Sequence, residues 1–531
     1  MAEVEAPSGL GIGSSLPEGE TAAVSLESEG AATRDRARRA ASQLIGRDAL
    51  IYGLGMILTR AASFIMLPVY TRVLTTADYG LLQMLDMAVD VISILISAGM
   101  MQGVMRFYFK ATTEAERQSI ISTAFVMLVG LNLIGTAVLA AIAVPLWRHA
   151  LDGAGAVWYV YVAAANFTLG AVMIVPLLYM QIQGRAMRYT VTSLVKLILQ
   201  LTLNIVFLVV LRKGPVGILL STLISNVIVG FASAIWLFRR NGFRLSRQAA
   251  SDLRRFGVPY QVATAGNFIL TFGDRFVLQP TFGLAAVGIY SFAYQFGFLM
   301  SSLGVGPYLQ AWWPRRYEIV SQPPTHRDEQ YNAGFFFLSL VAMTVAVGIG
   351  LFVHPTLRVM SKAEFLPAAN LVPIILAAYV IQGWGITVQF GIDVSEQTRY
   401  STYAVWVSVA AVIVLYAVLI PIFGGLGAAI ATLISFAIRT LCLYRFAQRL
   451  WPIHYVWRPH FRLGALAVLV VIASYFTRSR SLLLETASSC LLVLLYAALV
   501  WRFALTPDRR KEILTFLEHK YRTLSLKLAR A

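Results

Sequence analysis

Charge is scarce in this 531-residue chain: 13% of residues are charged and 58% are hydrophobic, whereas a soluble domain carries about a quarter charged residues. Water is therefore not its main solvent. Cysteine is nearly absent, and Cys442 and Cys490, both within apolar segments, cannot build a framework of several disulfides. Acidic residues are outnumbered, 26 against 44 lysines and arginines, for a net charge of +18. The basic residues are scattered between apolar segments and form no basic domain with its own core, so nucleic acid is excluded as a partner. The chain also lacks HExxH, paired CxxC, a phosphate-binding Walker loop and a Ser/His/Asp arrangement. Its six histidines are dispersed, two of them, His149 and His354, beside external span ends. No cofactor, no metal and no ATP motor are expected, and the chain reads as a non-enzyme.

What is present is a series of apolar stretches of roughly twenty residues without alternation. Unpaired backbone amides are costly in hydrocarbon, so such stretches must be helices, and about 20 residues span the ~30 Å core. Fourteen spans are expected: 48–70, 79–103, 119–144, 156–180, 191–211, 216–238, 257–280, 285–310, 334–353, 364–389, 401–421, 425–447, 463–477 and 482–503. Residues 1–47 are rich in Glu, Ala, Gly and Ser and too poor in large apolar groups for a core, which reads as a disordered cytoplasmic tail. It has no signal-peptide pattern, and from Arg34 to Arg47 it turns basic, as a helix on anionic lipid heads would. Residues 504–531 form a basic cytoplasmic tail. With the N-terminus inside, 30 of the 44 basic residues fall on the inner side, 8 outside and 6 within spans. Lysine and arginine are retained in cytoplasmic loops, so both termini are placed in the cytoplasm.

The chain repeats itself. Gly214-Pro215-Val216-Gly217 followed by Ser221-Thr222-Leu223-Ile224-Ser225 returns as Gly424-Gly425-Leu426-Gly427 followed by Ala431-Thr432-Leu433-Ile434-Ser435. Arg188-Tyr189 returns as Arg399-Tyr400, and Ala77-Asp78-Tyr79-Gly80 has a looser echo in Val287-Gly288-Ile289-Tyr290. An offset of six spans keeps the copies parallel, related by an axis along the membrane normal. The division is a lobe at 48–240, a second at 241–450 and two additional spans within 451–503.

Against this background, Leu67-Pro68-Val69-Tyr70-Thr71-Arg72-Val73-Leu74 running into Asp78-Tyr79-Gly80 resembles the polysaccharide transporters, or oligosaccharide flippases, of the multidrug, oligosaccharidyl-lipid and polysaccharide exporter superfamily. The resemblance continues in Arg255-Phe256-Gly257-Val258-Pro259, in Asp274-Arg275 with Val287-Gly288-Ile289-Tyr290-Ser291, and in Gly424-Gly425-Leu426-Gly427-Ala428-Ala429-Ile430-Ala431-Thr432. It covers residues 48 to 450 and omits the long acidic N-terminal tail. It implies an all-α membrane protein with two six-helix lobes facing each other in a V, plus two C-terminal helices. The implied activity is alternating access for a polyprenyl-diphosphate-linked oligosaccharide in the bacterial inner membrane. Candidate protein partners are a polysaccharide polymerase and chain-length proteins.

An ionisable side chain at the bilayer centre is expensive and marks a candidate site. Arg60 lies mid-span, roughly 15 Å from either end. Arg275 and Arg439 are further candidates for a positive substrate cavity, in which the guanidinium fork suits phosphate oxygens. Trp384 is an aromatic candidate for the same cavity, while Trp312, Trp313, Tyr294 and Tyr260 fit interfacial aromatic positions as well. Lys196 lies near enough to a span end to snorkel. Asp86 and Asp90 are four apart on one helix face, and with Asp274 they are candidates for ion coupling. Asp274 and Arg275, being consecutive, are expected not to face each other. The alternatives are a drug/cation antiporter of the same superfamily, a membrane-embedded polysaccharide polymerase or ligase, for which the outward loops of about ten residues are short, and a silent relative that recruits cell-wall enzymes.

Overall fold

A computed structural model describes residues 64–505, except 98 and 151–156, together with 507 and 510. The two tails, most of the expected first span and Arg60 lie outside the described residues. Within them every regular element is helical. In the first lobe these are α1 (Leu67–Val73), α2 (Thr76–Ser97), α3 (Met100–Lys110), α4 (Glu114–Ala150), α5 (Val157–Ile182), α6 (Ala186–Ile205) and α7 (Pro215–Asn241). The second lobe contains α8 (Arg247–Met300), α9 (Gly306–Glu318), α10 (Pro324–Met360), α11 (Ala368–Val388), α12 (Phe390–Val394), α13 (Arg399–Phe423) and α14 (Gly425–Leu450). Two C-terminal helices follow, α15 (Arg458–Phe476) and α16 (Leu482–Leu499).

Eleven of the described stretches are long and apolar enough to cross a membrane. One of them, Gln261–Glu318, has 58 residues, close to three times the ~20 that a bilayer needs. Apart from residues 257–260 it contains both expected spans of this region, and Gly283 breaks α8 between them with φ 79° and ψ 179°, a left-handed setting that glycine adopts without steric cost. The second expected span ends earlier than 103, because Gly99 at φ 81° separates α2 from α3. The helices turn their large apolar groups outward: Leu483 is 82% and Phe476 86% exposed. Hydrocarbon solvates such side chains, so packing between helices relies on small residues and hydrogen bonds.

The internal repeat is visible in the backbone. Gly214 and Gly424 each precede the corresponding helices α7 and α14 with φ 58°. A Cβ on Gly217 would lie 3.2 Å from the Phe207 carbonyl carbon, and one on Gly427 would overlap the Leu419 carbonyl. Those glycines return because each copy needs the chain to reverse tightly before a membrane helix.

The lobes meet where α2 crosses the second arm of α8. A Cβ on Gly80 would overlap the backbone oxygen of Leu284, and a Cβ on Gly288 would overlap that of Thr76. The contact is reciprocal, as a two-fold axis between parallel halves requires. Beside it, the end of α1 docks on the 359–364 turn of the second lobe. Thr71 Oγ1 donates to Met360 O at 3.1 Å, Arg72 to Val359 O at 2.6 Å, and Lys362 Nζ to Leu74 O at 3.2 Å and Val73 O at 3.3 Å. The ammonium of Lys362 thus meets carbonyls at the negative end of a helix, where a cation is favoured. This end is closed.

Replacing Gly288 by Leu is expected to force α2 and α8 apart. In a background with Cys442 and Cys490 changed to Ser, a cysteine at Thr71, which is fully buried under the 360–364 turn, should then react with a maleimide several-fold faster. Unchanged labelling would show that the crossing does not hold the gate.

Candidate functional site

Under the closed end lies a chamber of about 450 Å³. Asp86 and Gln83 reach it from α2, Tyr70 from α1, Asn166 from α5, Gln200 and Asn204 from α6, and Thr222 and Asn226 from α7. Gln295 enters from α8, so the wall is shared with the second lobe. Part of this polar surface is satisfied internally. Asn204 Nδ2 donates to the Tyr70 hydroxyl at 2.8 Å, Gln200 Nε2 to Thr222 Oγ1 at 2.9 Å, and Asn166 Nδ2 to Leu219 O at 2.9 Å. The remainder is unmatched in one direction. Asn204 Oδ1 and Asn226 Oδ1 are buried without a donor, and Asp86 is the one ionisable acid or base on the wall apart from the tyrosines. Buried polar groups are ordinarily hydrogen-bonded. A chamber with spare acceptors is therefore suited to a ligand that brings donors: hydroxyls, water or a cation.

Of the seven site residues expected from sequence, the structure brings Asp86 alone to this wall. Asp90 lies one turn further along α2 and is exposed. Arg60 falls outside the described residues. Arg439 is partly buried in α14, with Nε unpaired and no ion pair among the described residues. Trp384 does not face the chamber. Its Nε1 donates to Ser339 Oγ at 2.9 Å, and its ring packs on Phe335, Trp457 and His460, joining α11 to the C-terminal helix α15. Tyr294 stacks in the second lobe and the side chain of Tyr260 is outside the described residues.

Asp274 and Arg275 correct the expectation that they do not face each other. Arg275 Nη1 lies 2.8 Å from Asp274 Oδ1. A long side chain can fold back along its own helix: the same Nη1 donates to Thr271 O one turn earlier at 2.9 Å, and Nε donates to Ser291 Oγ at 3.2 Å. Tyr290 donates to the other carboxylate oxygen at 2.5 Å, and the guanidinium carbon stands 4.2 Å from the Tyr294 ring centroid. Asp274 and Arg275 are 0% and 1% exposed. Arg275 is thus a neutralised, buried cation within the second lobe and not a cleft charge in this conformation.

The amides at Gln83, Asn166, Gln200, Asn204 and Asn226 were missed by a search for charges. The signal was present: neutral amides in membrane spans are also unfavourable unless paired, and here five of them come from four helices spread between residues 83 and 226.

Residues 45–320 match the family of polysaccharide biosynthesis proteins. The chain belongs to that family. No curated protein sequence matches it at comparable stringency. Among solved structures, the fold is similar to that of the lipid II flippase MurJ in an inward closed conformation, with a TM-score of 0.69 and 12% identity over 85% of this chain and 99% of that one. It is also similar to an inward-facing multidrug resistance MATE family transporter of the MOP superfamily, with a TM-score of 0.58 and 15% identity over 73% and 94%. A third is MATE in complex with MaL6, with a TM-score of 0.54 and 16% identity over 76% and 95%. Identities this low speak to fold alone. This family member thus shares its fold with those solved structures, and its polar chamber lies in the first lobe with Gln295 of the second on its wall.

The buried pair yields a stability test. Arg275→Ala leaves a carboxylate unpaired in the lobe and should cost about 3 kcal/mol or more, whereas Asp274→Leu with Arg275→Met removes both charges and should recover most of it. Thermal unfolding in detergent would read both; equal losses would mean that the pair acts through more than charge balance.

Proposed function

We propose that this protein carries polyprenyl-diphosphate-linked oligosaccharides from the cytoplasmic to the periplasmic leaflet of a bacterial inner membrane, supplying surface polysaccharide synthesis. The observation that carries this reading is the first-lobe chamber, whose surplus of amide and carboxylate acceptors matches the hydroxyl-rich surface of a glycan. Its volume is within the range of small-ligand sites and accommodates only part of a repeat unit at once. Transport proceeds by alternating access, with the closed outer end described above as one of its states and both termini cytoplasmic. Arg60 and Arg439 supply positive potential for the diphosphate; Arg275, neutralised by Asp274, does not. Asp86 couples transport to protons or sodium, assisted by Asp90. The polymerase and chain-length proteins that consume the product are its partners.

A second reading, a drug/cation antiporter, is favoured by one feature: the single ionisable acid or base among the non-tyrosine residues of the chamber is the carboxylate of Asp86. Proteoliposomes distinguish the two. A fluorescent polyprenyl-diphosphate oligosaccharide should cross in an ion-gradient-dependent manner, and Asp86→Asn should abolish the gradient dependence. Efflux of a cationic dye without movement of the glycolipid would support the antiporter. Arg60→Lys keeps charge but loses the bidentate fork, so its rate should fall between those of the parent and Arg60→Ala. Parental rates in both Arg60 variants would remove Arg60 from the site.

A further inference from the structure

At the inner end of the first lobe, two cavities share Trp236 in their walls. One, of about 570 Å³, is lined by Glu114, Tyr179, Gln183, Trp236, Arg239 and Arg240. The other, of about 620 Å³, runs between α6 and α7 along Met187, Val191, Val195, Ile228 and Ala232, with Arg188 and Trp236 at its mouth. Met187, Val191, Val195 and Ile228 are each about half exposed, so this groove opens to the lipid. Its head is strongly positive. Arg188 stands 5.8 Å from the Trp236 ring centroid. Arg185, in the turn before α6, has its guanidinium held below the ordinary range by partial burial and then by its neighbours Arg240 and Arg188. None of Arg185, Arg188, Arg239 and Arg240 has a carboxylate ion-pair partner among the described residues; the nearby Glu114 pairs with Arg117 at 3.7 Å.

Four like charges gathered without a counter-ion cost energy unless an anion joins them. Here the positive head meets an indole, and on the other side of that indole lies an apolar, lipid-facing groove, a combination that suits a phosphate carrying acyl chains. The geometry points to a binding site for an anionic phospholipid of the inner leaflet, with its phosphate among Arg185, Arg188, Arg239 and Arg240 and an acyl chain between α6 and α7. Arginine binds phosphate oxygens through paired donors, and basic pockets between membrane helices on the cytoplasmic side take anionic headgroups. Trp236 at the junction suits the boundary between head and chain. The site is separate from the transport chamber and stands whether or not the transport reading holds.

The test uses the full chain purified in a neutral detergent. Phosphatidylglycerol should bind in native mass spectrometry and raise the melting temperature, while phosphatidylcholine and inorganic phosphate should do so weakly. Arg239→Ala with Arg240→Ala should weaken phosphatidylglycerol binding about tenfold or more, and Arg254→Ala with Arg255→Ala, equal in charge but outside the site, should not. Ala232→Trp blocks the groove without altering charge and should also reduce binding, which keeps the test informative if the arginine variant is unstable. Equal binding by all variants, or equal stabilisation by phosphatidylcholine, overturns the site. Displacement of phosphatidylglycerol by a polyprenyl diphosphate overturns its assignment to a resident lipid. Transport is not read, so a failed flipping assay leaves the outcome intact.

Discussion

The structure depends on one helix crossing. Gly80 and Gly288 let α2 and α8 approach until backbone meets backbone, so that each glycine occupies the only space in which the other helix's carbonyl fits. Lipid offers no hydrophobic drive to bring helices together, and close packing of small residues takes its place. Once that crossing is set, the end of α1 falls against the 359–364 turn, where Arg72 and Lys362 donate to exposed carbonyls. The chamber under it is bounded on one side by the same helix, α2, through Gln83 and Asp86.

A poor dielectric divides the polar residues into two groups. Those that serve the scaffold are neutralised locally. Asp274, Arg275, Tyr290 and Ser291 close a buried network, and at the C-terminal end of α10 Glu485 holds His354 at 2.5 Å and Arg358 at 2.7 Å, fastening the C-terminal helices to the second lobe. The other group remains unmatched: Asp86 with the free amide oxygens of Asn204 and Asn226 in the chamber, and the four arginines around Trp236. Of these, the buried amide oxygens of Asn204 and Asn226 are unfavourable without a partner, while Asp86 and the arginines keep access from outside the protein. The two unmatched sets have opposite character, acceptors in the chamber and donors at the lipid edge, and so call for different ligands.

Much of the architecture was legible in residue order. Apolar run length gives the spans, and Gly214 and Gly424 mark equivalent turns because a reversal at positive φ requires glycine wherever it occurs. Asp86 was legible as well, since a carboxylate in a span is conspicuous. Arg275 was not: its fate depends on whether the side chain extends or folds back onto Thr271 and Asp274, and sequence spacing cannot separate those courses. Trp384 likewise reads as a generic membrane aromatic until Ser339 and His460, 45 residues upstream and 76 downstream, are seen beside it.

The sequence by itself determined that the chain crosses the membrane many times, that it is built from two parallel copies and which end carries the positive charge. These follow from local solvation and backbone geometry, which each segment settles on its own. The tertiary structure decided which polar groups cancel and which are left facing a ligand. That choice is made by side chains from distant helices meeting at angstrom separations, and at low dielectric a shift of one partner changes a paired charge into a binding site.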